Sequence, residues 1–148
     1  MSLIINKKAT FNYEILEKYT AGLELFGHEV KSLRNKQGSL EGSYVIIRGA
    51  EAFLVNAHIP PYQEGNTPKT YDPYRARKLL LTKAEIETLL GNEKARGLSI
   101  IPLSIYEKGR FIKIDIAVGR GKKQHDKRET IKKREGDRTL SRIRKGQE

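Results

Sequence analysis

Apolar and polar residues alternate most regularly along residues 13–25, where Ile15, Ala21 and Leu23 fall on the same side of an extended chain. Alternation with period two over this length predicts a long strand that buries one face. Gly22, inside the pattern, predicts a bulge or a bend in that strand. Four shorter apolar stretches predict two antiparallel hairpins, formed by residues 44–48 with 52–55 and by residues 98–106 with 110–118.

Two other stretches have the spacing of helices. In residues 27–33 apolar positions lie three apart, which predicts one short helix. The run Thr82-Lys83-Ala84-Glu85 matches a capping box, in which the threonine begins a helix and the glutamate reaches back to it. Between the two, residues 58–74 contain four of the five prolines, so we expect a long loop there.

Together these elements predict a mainly β protein with short helices. Five or six antiparallel strands with an interposed helix are typical of a small closed barrel of the oligonucleotide/oligosaccharide-binding kind, the OB-fold. After residue 118 the alternation stops, and only Ile131, Leu140 and Ile143 are apolar. Such a segment cannot bury enough apolar surface to offset the entropy lost on ordering. We therefore predict a core over residues 1–118 and a basic tail over residues 119–148 that is disordered when free.

Positive charge is concentrated in that tail. The whole chain carries 29 Lys and Arg against 18 Asp and Glu, a net charge of +11. Residues 119–148 hold twelve basic and five acidic residues, so +7 of the total comes from the last fifth of the chain. Lysines and arginines on a flexible segment bind phosphates through charge and counterion release, which favours a nucleic-acid partner over a merely solvated tail.

Other locations and partners are less well supported by the composition. An anionic membrane would attract the same charge, but the tail offers no Trp, Phe or Leu face to insert, so only weak adsorption is expected. No apolar run of about 18 residues and no signal-peptide pattern occurs, and the chain has no cysteine. These features predict a cytoplasmic protein without membrane contact, disulfides or thiolate metal sites.

Residues able to support catalysis do not form a recognised pattern. The histidines His28, His58 and His125 show no HExxH or similar metal-binding spacing, and no serine lies in a nucleophile elbow. We therefore predict no cofactor, no metal site and no enzymatic activity. Two alternatives stay open: a general RNA-binding OB-fold protein, and a metal-dependent nuclease built on His28, Glu29 and Asp115.

A second basic patch, Arg75-Ala76-Arg77-Lys78, follows Tyr71 and Tyr74 in the proline-rich loop. A tyrosine beside arginines can stack on a base while the guanidinium holds a phosphate. Tyrosines in such a loop also serve as ordinary packing residues, and the pattern does not choose between the two roles.

Three motifs resemble the SsrA-binding protein family, also called small protein B. They are Gly22-Leu-Glu-Leu-Phe-Gly-His-Glu-Val-Lys-Ser-Leu-Arg34, Arg77-Lys-Leu-Leu-Leu81 and Gly121-Lys-Lys-Gln-His-Asp-Lys-Arg128. The motifs occur in the family's order, and the likeness runs from about Asn6 to Glu135.

This resemblance implies an OB-fold core and a carboxy-terminal tail that is disordered in free solution. Family members bind transfer-messenger RNA at its tRNA-like part and deliver it to ribosomes stalled on messages without a stop codon. The process, trans-translation, leads to tagging of the nascent peptide. The implied partners are transfer-messenger RNA, small-subunit ribosomal RNA and, through the charged RNA, elongation factor Tu. The tail is expected to enter the empty messenger channel and to fold there as a helix.

Individual residues also acquire implied roles. Three match family positions tied to RNA binding, and we add four basic neighbours, which gives Asn6, Leu80, Lys113, Lys7, Arg34, Arg77 and Lys78. The tail residues expected near the decoding centre are Lys122, Lys123, His125, Asp126, Lys127 and Arg128. Two positions depart from the family. Thr20 stands where relatives often have glutamate, and a threonine would accept a hydrogen bond from a base only weakly. Arg144 replaces one member of an apolar pair near the tail end.

Overall fold

The structure is a computed structural model that describes residues 2–63, 65 and 67–122. Its strands are Ser2–Ile5 (β1), Tyr13–Leu23 (β2), Tyr44–Arg48 (β3), Glu51–Val55 (β4), Arg77–Leu80 (β5), Leu98–Lys108 (β6) and Phe111–Gly121 (β7). Its helices are Ala9–Asn12 (α1), Gly27–Arg34 (α2) and Lys83–Lys94 (α3). The predicted mainly β architecture with short helices is confirmed.

All seven strands belong to one antiparallel sheet. Hydrogen-bonded neighbours follow the order β1-β6-β7-β2-β5-β4-β3, so the three eleven-residue strands β6, β7 and β2 lie side by side. In the part of the chain that the structure describes, no ladder joins the two outer strands, and the predicted closed barrel is therefore not confirmed.

The open seam lies between β3 and the first residues of β6. A groove of about 620 Å³ runs along it and is lined by residues of both strands and by Glu93 of α3. The Glu93 carboxylate accepts hydrogen bonds from the Ile47 amide and, at 3.1 Å, from the Arg48 guanidinium. A side chain of helix α3 thus accepts a hydrogen bond from the β3 backbone, where a neighbouring strand would otherwise supply the acceptor.

One face of the sheet carries the hydrophobic core. The inward side chains of β7 include Ile112, Ile114 and Ile116, which are buried as their alternation predicts. They pack with residues of the other strands and helices, among them Leu23, Leu33, Leu54, Leu79, Leu89 and Ile105. Burying an isoleucine or leucine side chain of this size contributes roughly 2 kcal/mol, so this face dominates the stability of the sheet.

Gly22 serves a purpose other than the predicted bulge. The register of β2 against β7 shifts between Ile15 and Glu17 and runs without interruption from Glu17 to Gly22. A Cβ atom on Gly22 would lie 3.1 Å from the Leu80 Cβ atom, closer than ordinary contact. The glycine therefore allows β5 to approach β2 closely, and the bulge falls earlier in the strand.

Strand β7 continues past the predicted end of the core at residue 118. Its last residues pair with the start of β2, where Gly121 lies opposite Tyr13. Lys122 follows, and its backbone amide donates to the Asn12 carbonyl at 2.9 Å while its Nζ donates to the Thr10 carbonyl at 2.9 Å. The first residues assigned to the tail are thus fixed to the sheet and to α1.

Candidate nucleic-acid interface

The sheet face opposite the core presents a row of side chains to solvent. Gly22 of β2 is the register partner of both Leu80 in β5 and Lys113 in β7, and Lys113 in turn faces Tyr106 in β6. Directly opposed residues in antiparallel strands point to the same face, so these four positions form one line across the sheet, the Leu80–Lys113 row. Leu80 is 54% exposed, so the row includes an apolar side chain open to solvent.

A carboxylate lies beside this row. Asp115 follows Lys113 by two residues on the same face of β7 and is the register partner of Thr20. Its Oδ1 atom accepts hydrogen bonds from the Thr20 hydroxyl at 3.0 Å and from the Tyr106 hydroxyl at 3.0 Å. Burial raises the pKa of Tyr106, its hydrogen bond with Thr20 lowers it and the Asp115 carboxylate raises it, and the net change is upward.

Thr20 therefore has a different part from the one predicted. Its hydroxyl acts as a donor to Asp115, and the carboxylate of this region belongs to β7 and not to β2. Sequence reasoning considered Asp115 only as a nuclease ligand, because nothing in the linear sequence shows that residues 20 and 115 are opposed. Strand register is the information that was missing.

The two predicted basic neighbours in β5 face opposite ways. Lys78 points outward, with 40% of its side chain exposed and its Nζ 3.6 Å from the Glu51 carboxylate. Arg77 has no exposed surface. Its inclusion among the RNA-contacting candidates was wrong for the structure as it stands, because consecutive residues in a strand alternate between faces and residue 77 falls on the inner one.

Arg77 instead belongs to a buried ion-pair network around Glu29 of α2. Its Nε donates to Glu29 at 2.8 Å and its other nitrogens donate to the Ala57 and Pro73 carbonyls at 2.7 and 2.9 Å. Arg75 donates to the same carboxylate with two nitrogens. Burial by itself would raise the pKa of Glu29, but hydrogen bonds from Arg75, the Phe26 amide and Arg77 outweigh it and lower that pKa below its usual range.

This network fixes the proline-rich loop. The Tyr71 hydroxyl has two acceptors within reach of its single proton, the Ile59 carbonyl at 2.7 Å and the Glu29 carboxylate at 3.0 Å, and it accepts from Arg77 at 2.9 Å. Tyr71 is thus a packing residue and not a residue that stacks on a base, which were the two roles left open for the tyrosines of that loop. Tyr74 is 55% exposed, with its ring centroid 4.9 Å from that of His58, and Arg75 covers the Phe26 ring at 3.9 Å.

The three nuclease candidates do not share a site. Glu29 is fully buried between arginines, whereas Asp115 lies on the outer face of the sheet. The His28 ring packs edge-on against Tyr71 at 4.5 Å. Over residues 2–63, 65 and 67–122, no group of three or more His, Asp or Glu side chains is arranged to hold a metal ion.

The remaining candidates of the core are Asn6, Lys7 and Arg34. The Asn6 side-chain amide donates to the Pro102 carbonyl at 2.9 Å, so it joins the β1–α1 turn to β6, and Lys7 beside it is exposed. Arg34 at the end of α2 donates to Glu107 at 2.9 Å and keeps 48% of its side chain exposed. Of the predicted tail residues only Lys122 is described. Those outside the described residues are Lys123, His125, Asp126, Lys127, Arg128 and Arg144.

Comparison with known proteins assigns the family. The family model described as SmpB protein matches residues 3–146, nearly the whole chain. The chain belongs to the SmpB family. An SsrA-binding protein from Mesoplasma florum is 52% identical over 136 residues, which cover 92% of this chain and 91% of that protein. An SsrA-binding protein from Burkholderia vietnamiensis is 49% identical over 143 residues, 97% of each chain.

A solved structure is also similar to this SmpB family member. It is described as "tmRNA-SmpB: a journey to the center of the bacterial ribosome", with a TM-score of 0.70 and 39% sequence identity. The similarity covers 88% of this chain and 95% of the solved one. None of the helices in the described ranges is long and apolar enough to span a membrane.

Proposed function

We propose that this protein is an RNA-binding adaptor for trans-translation, which binds transfer-messenger RNA and brings it to stalled ribosomes. The observation that carries the proposal is the family match over residues 3–146, since it includes both the sheet and the basic segment after it. The solved relative is described together with transfer-messenger RNA and the ribosome, which supports the same two partners for this chain.

The fold supports a division of labour within the chain. Residues 1–118 form the proposed OB-fold core for the tRNA-like part of the RNA, and residues 119–148 form the proposed tail, helical in the empty messenger channel. The approach of β3 to β6 across a narrow groove supports a barrel-like arrangement of the core. Lys122, the last residue that the structure describes, is bound to the Thr10 and Asn12 carbonyls, so the proposed tail begins on a fixed part of the core.

The outer sheet face is the proposed RNA-binding surface of the core. Leu80 offers an apolar contact, Lys113 and Lys78 offer positive charge, and the sheet beneath them is rigid. Asn6, Lys7 and Arg34 are proposed as further contacts to the RNA. Because phosphate contacts release counterions, affinity for the RNA should fall steeply with salt concentration.

The adaptor itself is proposed to catalyse nothing. Elongation factor Tu is the proposed third partner, through the aminoacylated RNA, and the cytoplasm is the proposed location. Labelled RNA incubated with the protein and Mg²⁺ or Mn²⁺ should remain intact over hours. Sustained cleavage that follows protein concentration would contradict the proposal.

A truncation tests the division of labour. A chain ending at residue 118 would lose the residues of β7 that pair with Tyr13 and Glu14, so it would confound loss of fold with loss of the tail. We expect a chain ending at Lys122 to fold and to bind transfer-messenger RNA as well as the full chain does at moderate salt. It should fail to support peptide tagging on stalled ribosomes. Loss of RNA binding together with intact tagging would contradict the two-part account.

A further inference from the structure

Asp115 is the acidic side chain directly beside the Leu80–Lys113 row. Two hydroxyl groups from the two neighbouring strands donate to its Oδ1 atom, Thr20 on β2 and Tyr106 on β6, each at 3.0 Å. Its Oδ2 atom accepts no hydrogen bond from any residue that the structure describes. The carboxylate is therefore fixed in orientation and retains acceptor capacity on an outer sheet face.

We propose that Asp115 binds the RNA directly, by accepting a hydrogen bond from an amino group of an unpaired base or from a ribose 2′-hydroxyl. The inference rests on the proposed function and adds to it a residue that selects donor groups on the RNA.

The Asp115 carboxylate lies among cations on a surface that is proposed to bind RNA. Lys113 lies two residues away on β7, and Lys18 precedes Thr20 by two residues on β2, so cations flank the carboxylate on the same face. Those cations attract phosphates, whereas a carboxylate repels them and lowers affinity unless it meets a donor. Unpaired bases and 2′-hydroxyls are the donors that RNA presents. The arrangement therefore fits a surface on which the lysines position the RNA backbone and Asp115 accepts a hydrogen bond from one base amino group or 2′-hydroxyl.

The fixed orientation of the Asp115 carboxylate supports a role in binding RNA over a role in joining the strands. One hydroxyl would be enough to join two strands through this side chain. Here two hydroxyls donate to the same oxygen and leave the second oxygen open. Fixing an acceptor before the ligand arrives removes the entropy that an unrestrained side chain would lose on binding. Thr20 and Tyr106 are positioning residues in this account, since they act on the RNA through Asp115.

Replacing Asp115→Asn gives the sharpest test. The amide oxygen of asparagine can accept from the Thr20 and Tyr106 hydroxyls, which turns its NH₂ group, a donor, toward the place where an acceptor is needed. We expect affinity for the tRNA-like part of transfer-messenger RNA to fall about tenfold, the usual effect of losing a hydrogen bond to a charged group. The slope of affinity against salt should stay unchanged, because no phosphate contact is removed.

The matched control is Glu14→Gln, which removes one negative charge from an exposed position of β2. It should leave affinity unchanged or raise it slightly at low salt. If Asp115→Asn behaved in the same way, Asp115 would act only as a repulsive charge or a packing residue, and the inference would fail. Wild-type preference for transfer-messenger RNA over bulk tRNA would still support the proposed function in that case. Loss of this preference in the wild type would instead contradict the proposed function.

A second pair of variants keeps the test valid if Asp115→Asn unfolds. Tyr106→Phe and Thr20→Val each keep the carboxylate but remove one of the two hydroxyls that orient it, so we expect weaker RNA binding with an intact thermal transition. Unchanged affinity in both variants would overturn the inference. RNA carrying single 2′-deoxy substitutions, or inosine in place of guanosine, identifies the donor. The substitution that removes it should weaken binding to the wild type and have no effect on binding to Asp115→Asn.

Discussion

Glu29 stabilises the fold through buried ion pairs, although the net positive charge of the chain indicates a nucleic-acid partner. It lies at the start of α2, yet it is fully buried and binds both Arg75 and Arg77. The two arginines belong to a motif that resembles a nucleic-acid contact in the linear sequence. In the structure both instead pair with the Glu29 carboxylate, and the network they form fixes the proline-rich loop beside the sheet.

Replacing Glu29→Gln should destabilise the protein severely. The amide keeps the shape but leaves the buried Arg77 guanidinium without its counter-charge, and removing one partner of a buried ion pair costs about 3–5 kcal/mol. The free energy of unfolding from urea titration measures this effect. Glu14→Gln, at an exposed position, should stay within about 0.5 kcal/mol of the wild type. A loss below about 1 kcal/mol at Glu29 would show that the network contributes little.

Acid should remove the same contribution. The pKa of Glu29 is lower in the folded protein than in the unfolded chain, so its stabilisation is complete above the unfolded value of about 4.3. It is lost as pH falls from there through the folded pKa, because protonation then favours unfolding. Urea titrations at a series of pH values should show this loss in the wild type and a smaller one in Glu29→Gln. Parallel curves for the two proteins would contradict the assignment.

At the scale of elements, local signals in the sequence were sufficient where the pattern is regular. The long alternation of β2, the two hairpins and the capping box of α3 all occur in the structure. Two short strands were missed. β1 has only four residues, and β5 places Arg77 on the buried face, which breaks the expected alternation of apolar and polar residues. The burial of Arg77 could not be predicted without knowing its partner, Glu29, which is 48 positions away in the sequence.

The cap of α3 gives a prediction at this scale. The Thr82 hydroxyl accepts from the Glu85 amide at 3.2 Å, and the Glu85 carboxylate accepts from the Thr82 amide at 3.0 Å. Thr82→Ala should lower the free energy of unfolding by about 1 kcal/mol. Thr70→Ala in the exposed loop should leave it unchanged. RNA affinity should be the same in both variants, and a specific loss in Thr82→Ala would mean that α3 takes part in binding.

At the scale of the whole molecule, our proposal assigns the basic tail and the sheet face to two different RNA partners. The sheet presents a fixed row in which residues distant in sequence meet through strand register. The tail follows Lys122, which is fixed to α1. If the core holds transfer-messenger RNA at the ribosome, the tail is confined near its own target, and the raised effective concentration offsets weak intrinsic affinity. The tail stays a prediction from composition, since residues 123–148 lie outside the described ranges. Leu80 and Lys113 could be named from the family resemblance, but only the strand register shows that they share one line across the sheet.

Competition binding tests the central claim most directly. The full chain is bound to labelled transfer-messenger RNA near physiological salt, and unlabelled transfer-messenger RNA, bulk tRNA or duplex RNA of equal charge is added. The account predicts displacement by transfer-messenger RNA at near-equal concentration and by the other two only in large excess. Equal displacement by all three RNAs would show a general RNA-binding protein and contradict the account.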